Sequence, residues 1–140
     1  SAEAVGYPDI VLPDVNAQKV RLSEVDSKVI MVFFWSAANA DQKMFNLDFL
    51  KGIYDDYHRK GLEIYQVSLD VDKALWAKVV KQQNLPWINV CDSRGAASPY
   101  TALYNISSVP AVYVICNGDL VDGSMADEKS FRKTLDNLLK

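Results

Sequence analysis

The chain has 140 residues, 49% of them hydrophobic and 24% charged, which is enough to close a core without cross-links and too apolar for intrinsic disorder. Fifteen basic against eighteen acidic residues leave a net charge of −3, and no segment gathers Lys or Arg with aromatics, so neither nucleic acid nor an anionic membrane surface is an expected partner. Two cysteines, Cys91 and Cys116, and one histidine, His58, exclude a disulfide framework, a four-ligand zinc site and any centre that needs two imidazoles.

Residues 10–12 and 19–22 are short extended runs, and Pro13, Asp14 and Asn16 between them supply turn chemistry, which predicts a hairpin. Val29–Trp35 (VIMVFFW) is a continuous apolar run of strand length, the habit of a central strand buried on both faces and far too short to span a bilayer. From 40 to 59 a helix is predicted, because Phe45, Phe49, Ile53 and Tyr57 recur every fourth residue and Leu50 and Tyr54 widen the stripe. His58, Arg59 and Lys60 place cations on its last turn, and Gly61 is suited to a left-handed cap. Residues 62–69 form a second strand, so the stretch 29–69 reads as a right-handed βαβ crossover.

A helix over 72–83, with Leu75, Trp76, Val79 and Val80 on its apolar face, leads past Pro86 into a short strand at Ile88–Cys91. A short helix over 99–104 follows. Then come a strand at Ala111–Cys116, a hairpin turn at Asn117 and Gly118, a partner strand over 119–122, and a final helix over 127–139 that buries Phe131, Leu135, Leu138 and Leu139. The expected architecture is one α/β domain over 1–140, with a central mixed sheet, helices on both faces, a leading hairpin and an inserted α-β unit. Residues 1–8 have neither the basic start nor the apolar core of a secretory signal.

This order and six local phrases resemble the thioredoxin superfamily, in its TlpA/ResA-like thiol–disulfide oxidoreductase branch and the related AhpC/TSA domains. The phrases are Pro8 and Asp9 with VRLSE at 20–24, VFFWS at 32–36, GLEIYQVSLD at 61–70 with Trp76, LPW at 85–87, YNISSVP at 104–110, and VYVICNG at 112–118. The resemblance implies a cis bond at Val109-Pro110, facing the start of the long helix. In that family the strand ending in Phe-Trp leads into Cys-x-x-Cys at the helix start. By this likeness the four positions are Asn39, Ala40, Asp41 and Gln42, and no cysteine occurs before Cys91.

Dithiol chemistry needs a thiolate whose pKa the helix start lowers, and a second sulfur to resolve the mixed disulfide. Amides supply neither. Asn39 and Gln42 have the spacing of a capping box, and Asp41 puts negative charge where the helix dipole favours it. The expectation is therefore a thioredoxin-fold domain without its catalytic dithiol, more a binding or structural module than an enzyme. Its cleft would be lined by Trp35, Ser36, Ala38, Ser108, Val109 and Pro110, would have free backbone N–H groups at the helix start, and would suit an extended peptide or partner protein by strand addition.

Two alternatives remain open. One is redox chemistry by Cys91, Cys116 or both, which as a pair would require Cα atoms within about 7 Å. The other is a non-catalytic domain of a longer redox protein. Asp70, Asp72 and Asp92 lack the spacing of a calcium loop and are read as strand-end and capping carboxylates, so no metal or cofactor is expected. The resemblance implies a bacterial periplasmic or envelope location.

Overall fold

The computed structural model describes residues 5–121 and 127–140. Strands β1 (Val11–Pro13) and β2 (Lys19–Arg21) pair as a small antiparallel hairpin, separate from the main sheet. Asp14 Oδ1 accepts the N–H groups of Asn16 and Gln18, which sets the turn, and the positive φ falls on Ala17. Pro13 is paired with Lys19 as the last strand residue, not placed in the turn.

Five strands form the main sheet in the order β5-β4-β3-β6-β7: β3 (Val29–Trp35), β4 (Leu62–Ser68), β5 (Ile88–Cys91), β6 (Ala111–Cys116) and β7 (Asp119–Leu120). β3, β4 and β5 are parallel, and β6 is antiparallel to β3 and closes with β7 through Asn117 and Gly118, both at positive φ. All seven residues of β3 are buried, as its unbroken apolar run requires. Residue 122, expected in the last strand, lies outside the described residues.

The helical run after β3 has one departure from regularity. It comprises α1 (Ala40–Phe45), a π-helical turn at Asn46–Leu50, and α2 (Lys51–Tyr57), with a closing 3₁₀ turn at His58–Lys60. Gly61 caps it at φ 116°, a left-handed conformation that costs glycine little. α3 (Lys73–Gln83) is capped by the Asp72 carboxylate, α4 (Pro99–Leu103) by Ser98, and α5 (Glu128–Leu138) by Asp127.

The two right-handed crossovers β3→β4 and β4→β5 run in the same direction, so α1, α2 and α3 fall on one face, where α5 joins them. Their Leu50, Ile53, Trp76, Val79, Phe131 and Leu135 pack on Met31, Phe33 and Ile64. The opposite face, carrying Ile30, Val32, Phe34, Tyr65 and Val67, is covered by the hairpin, Leu22 and Tyr104. Tyrosine hydroxyls stitch this second layer together: Tyr104 donates to Pro8 O, Tyr65 to Val20 O and Tyr113 to Tyr104 O. Burial pushes the Tyr65 and Tyr104 phenols well above their usual range, so both remain donors.

Candidate functional site

The chain leaves β3, builds β4 and β5 on one side, then returns to place β6 on the other. The carboxyl end of β3 is therefore the point where the winding reverses, the usual place for a site in an open α/β sheet. Three segments meet there: the turn at 36–39, the start of α1, and the loop that carries the cis Val109-Pro110 bond.

Asp70, just past the end of β4, holds the turn. Its buried carboxylate accepts Ser36 Oγ at 2.9 Å, Ala37 N at 2.7 Å, Ala38 N at 3.1 Å and Ser68 Oγ at 2.5 Å. Cys91 Sγ points at the Asp70 carbonyl from 3.6 Å away and is fully buried. Asn39 caps α1, its Oδ1 accepting Gln42 N at 3.1 Å. Only half of the expected capping box forms. The Gln42 side chain does not return to Asn39; its Oε1 accepts Ser36 N at 2.6 Å and its Nε2 donates to Val109 O at 3.3 Å. Asp41 stands exposed on the first turn.

These bonds revise the expected cleft. The N–H groups of Ser36, Ala37, Ala38 and Asn39 all have partners within the chain, the last bonding Ser36 O at 3.2 Å, so the turn before α1 offers no unspent donors. At the helix start Gln42 N and Lys43 N bond Asn39, and Ala40 N and Asp41 N have no acceptor among the described residues. Gln42 spans the space between the helix start and the proline loop. The open groove, about 310 Å³, has Ser36 on one wall and Ser107, Ser108 and Val109 on the other, and Leu69, Ala96, Thr101 and Ile106 complete it. Asn39, Ala40 and Asp41 do not line it, and neither do Ala38 and Pro110, both of which are exposed. Trp35 is not a cleft wall: it is fully buried in the core beneath α1.

The paired-cysteine expectation fails on register. Cys91 stands beside Ser68, itself beside Trp35, whereas Cys116 stands opposite Val29. Six residues of strand separate those levels, about 20 Å at ~3.3 Å per residue, far beyond the Cα separation a disulfide tolerates. Both thiols are free. Among the described residues no group of three or more His, Cys, Asp or Glu is placed to hold a metal, and no helix is long and apolar enough to cross a membrane. Residue patterns marked Asp70 only as a strand-end carboxylate. Its role as the holder of the β3 turn needed the adjacency of β3 and β4, and Ala96 and Thr101 entered the groove with no local signal.

A parallel core of three strands, an antiparallel closing pair, a leading hairpin and a cis-proline loop facing the first helix define a thioredoxin-like α/β fold. The chain belongs to the AhpC/TSA family, matched over residues 5–122. It is 29% identical over 108 residues to the thiol-disulfide oxidoreductase ResA of Oceanobacillus iheyensis, covering 76% of this chain and 54% of that protein. It is 26% identical over 136 residues to the ResA of Geobacillus kaustophilus, covering 91% of this chain and 75% of that protein. The chain thus spans about half the length of the first of these relatives. Among solved structures, the C-terminal domain of a protein described as a thiol-disulfide oxidoreductase from Bacteroides thetaiotaomicron superposes with a TM-score of 0.83 at 28% identity, over 98% of this chain and 96% of that one. A thioredoxin-like protein from Bacteroides vulgatus superposes with a TM-score of 0.79 at 31% identity, over 98% and 93%. These relatives are bacterial.

Proposed function

We propose that residues 1–140 form one thioredoxin-like domain of the thiol–disulfide oxidoreductase type that has lost dithiol exchange and serves as a peptide-binding module. One observation carries this reading: the start of α1, facing the cis proline, bears Asn39 and Gln42, and the chain has no cysteine before Cys91. Electron exchange with a substrate disulfide needs an attacking thiolate at an accessible position. Cys91 is fully buried, and Cys116 lies at the far end of the sheet. What the site retains is the backbone of the loop before the proline and a groove lined by hydroxyls and small apolar groups. That surface suits an extended, uncharged peptide segment that adds as a strand.

The test is insulin reduction by dithiothreitol. The protein should leave the rate at its uncatalysed value, and acceleration would overturn the reading. The double variant Asn39→Cys with Gln42→Cys should then gain reductase activity, since positions three apart at a helix start lie within disulfide reach. A folded but inert double variant would mean that more than sulfur has been lost. A second reading, a non-catalytic domain of a longer redox protein, is favoured by the 54% coverage of the Oceanobacillus relative. A bacterial periplasmic or envelope location belongs to both readings and rests on the family resemblance.

A further inference from the structure

We propose that Gln42 is an intramolecular competitor for the peptide that the groove takes up, and so sets how tightly the groove holds an extended chain. This rests on the peptide-binding reading above. The residue before the cis proline offers an added strand one donor and one acceptor. Among the described residues Val109 N–H has no acceptor, whereas Val109 O already receives Gln42 Nε2 at 3.3 Å. The Gln42 side chain is 6% exposed, and its other end is fixed by the short bond from Ser36 N. An amide in this position satisfies the same carbonyl as a peptide N–H would. The acceptor half of the unliganded site is therefore already paired, and at Val109 O an incoming strand exchanges one hydrogen bond for another instead of gaining one.

Gln is well suited to this and few other residues are. Its carboxamide presents an acceptor and a donor at once, which the two facing groups, an N–H and a C=O, both require. Glu keeps the acceptor for Ser36 N and loses the donor for Val109 O. Met keeps the approximate length and loses both. The two substitutions thus separate the arm that faces the peptide from the arm that holds the side chain in place.

The experiment uses fluorescein-labelled, reduced and S-carboxymethylated insulin B chain, an unfolded polypeptide without a free thiol, and reads fluorescence anisotropy for wild type, Gln42→Met and Gln42→Glu. Both variants should bind about 2- to 10-fold more tightly than wild type, the range set by regaining one hydrogen bond. Amide hydrogen exchange of Ser36 should stay slow in Gln42→Glu and become fast in Gln42→Met. If wild type binds and neither variant binds more tightly, Gln42 does not compete and the peptide-binding reading stands. If none of the three binds, the peptide-binding reading falls, and the role of Gln42 falls with it. A variant that melts well below wild type in circular dichroism is replaced by Gln42→Leu, for which the same 2- to 10-fold gain is expected and equal or weaker binding counts against the proposal.

Discussion

Asp9 illustrates how a single carboxylate anchors the leading hairpin. It accepts the N–H groups of Ile10 and Ser23, the Ser23 hydroxyl and the Arg21 guanidinium. Burial alone would push this carboxyl up, but the Ser23 hydroxyl, Arg21 and the two N–H groups outweigh it and hold the group below its ordinary range. A depressed carboxyl stabilises the fold above the unfolded-state pKa of about 3.9 and loses that contribution as pH falls through its folded value. Asp9→Asn should therefore cost about 1–2 kcal/mol near pH 7. Melting curves taken from pH 6 to pH 2 should converge with wild type at the acid end. At this scale the sequence was a partial guide. Pro8, Asp9 and the VRLSE phrase marked the hairpin, but nothing local joined Asp9 to Ser23, fourteen residues on. The spacing of Asn39 and Gln42 correctly indicated a cap, and it misdirected the Gln42 side chain, whose partners come from other segments.

Among the elements, the long helix departs furthest from its periodic pattern. A fourfold apolar repeat cannot show where an extra residue slips into the turn, and the π-helical stretch at Asn46–Leu50 has no signature in the stripe of Phe45, Phe49 and Ile53. Its first residue is tied to partners across the fold. Asn46, fully buried, accepts from Gln66 Nε2 on β4 at 2.8 Å and donates to Gln83 Oε1 on α3 at 2.9 Å, while Gln66 Oε1 accepts the Trp87 indole N–H at 2.7 Å. This chain of amides runs from the loop before β5 to α1, where Gln83 Nε2 donates to Lys43 O. Every link depends on the others, so breaking one strands polar groups in the core. Gln66→Leu should cost about 3 kcal/mol by leaving Trp87 Nε1 and Asn46 Oδ1 unpaired, read as a lower midpoint in urea at unchanged slope. Helices α3 and α5 were readable to within a residue or so, because Asp72 and Asp127 mark their starts and their apolar faces pack on one layer.

For the whole molecule, a mixed sheet closed by an antiparallel hairpin followed from the alternation of patterns along the chain, whereas the strand order β5-β4-β3-β6-β7 needed the pairings of the fold. The meeting of the turn after β3 with the proline loop was expected from the family resemblance, not from the pattern of strands. The full lining of the groove was not expected, because Ser36, Ala96 and Ser108 come together only after β6 returns past β3. The layout also separates the two thiols. Cys91 should react with Ellman's reagent only after unfolding, and Cys116, partly exposed, should react in the native protein. A native count of two fast thiols would contradict the burial of Cys91. With one sulfur sealed inside the molecule and the other at the foot of the sheet, no oxidant can knit this chain to itself. Any covalent dimer it forms must join two copies foot to foot, with both proline loops turned outward and their grooves still open.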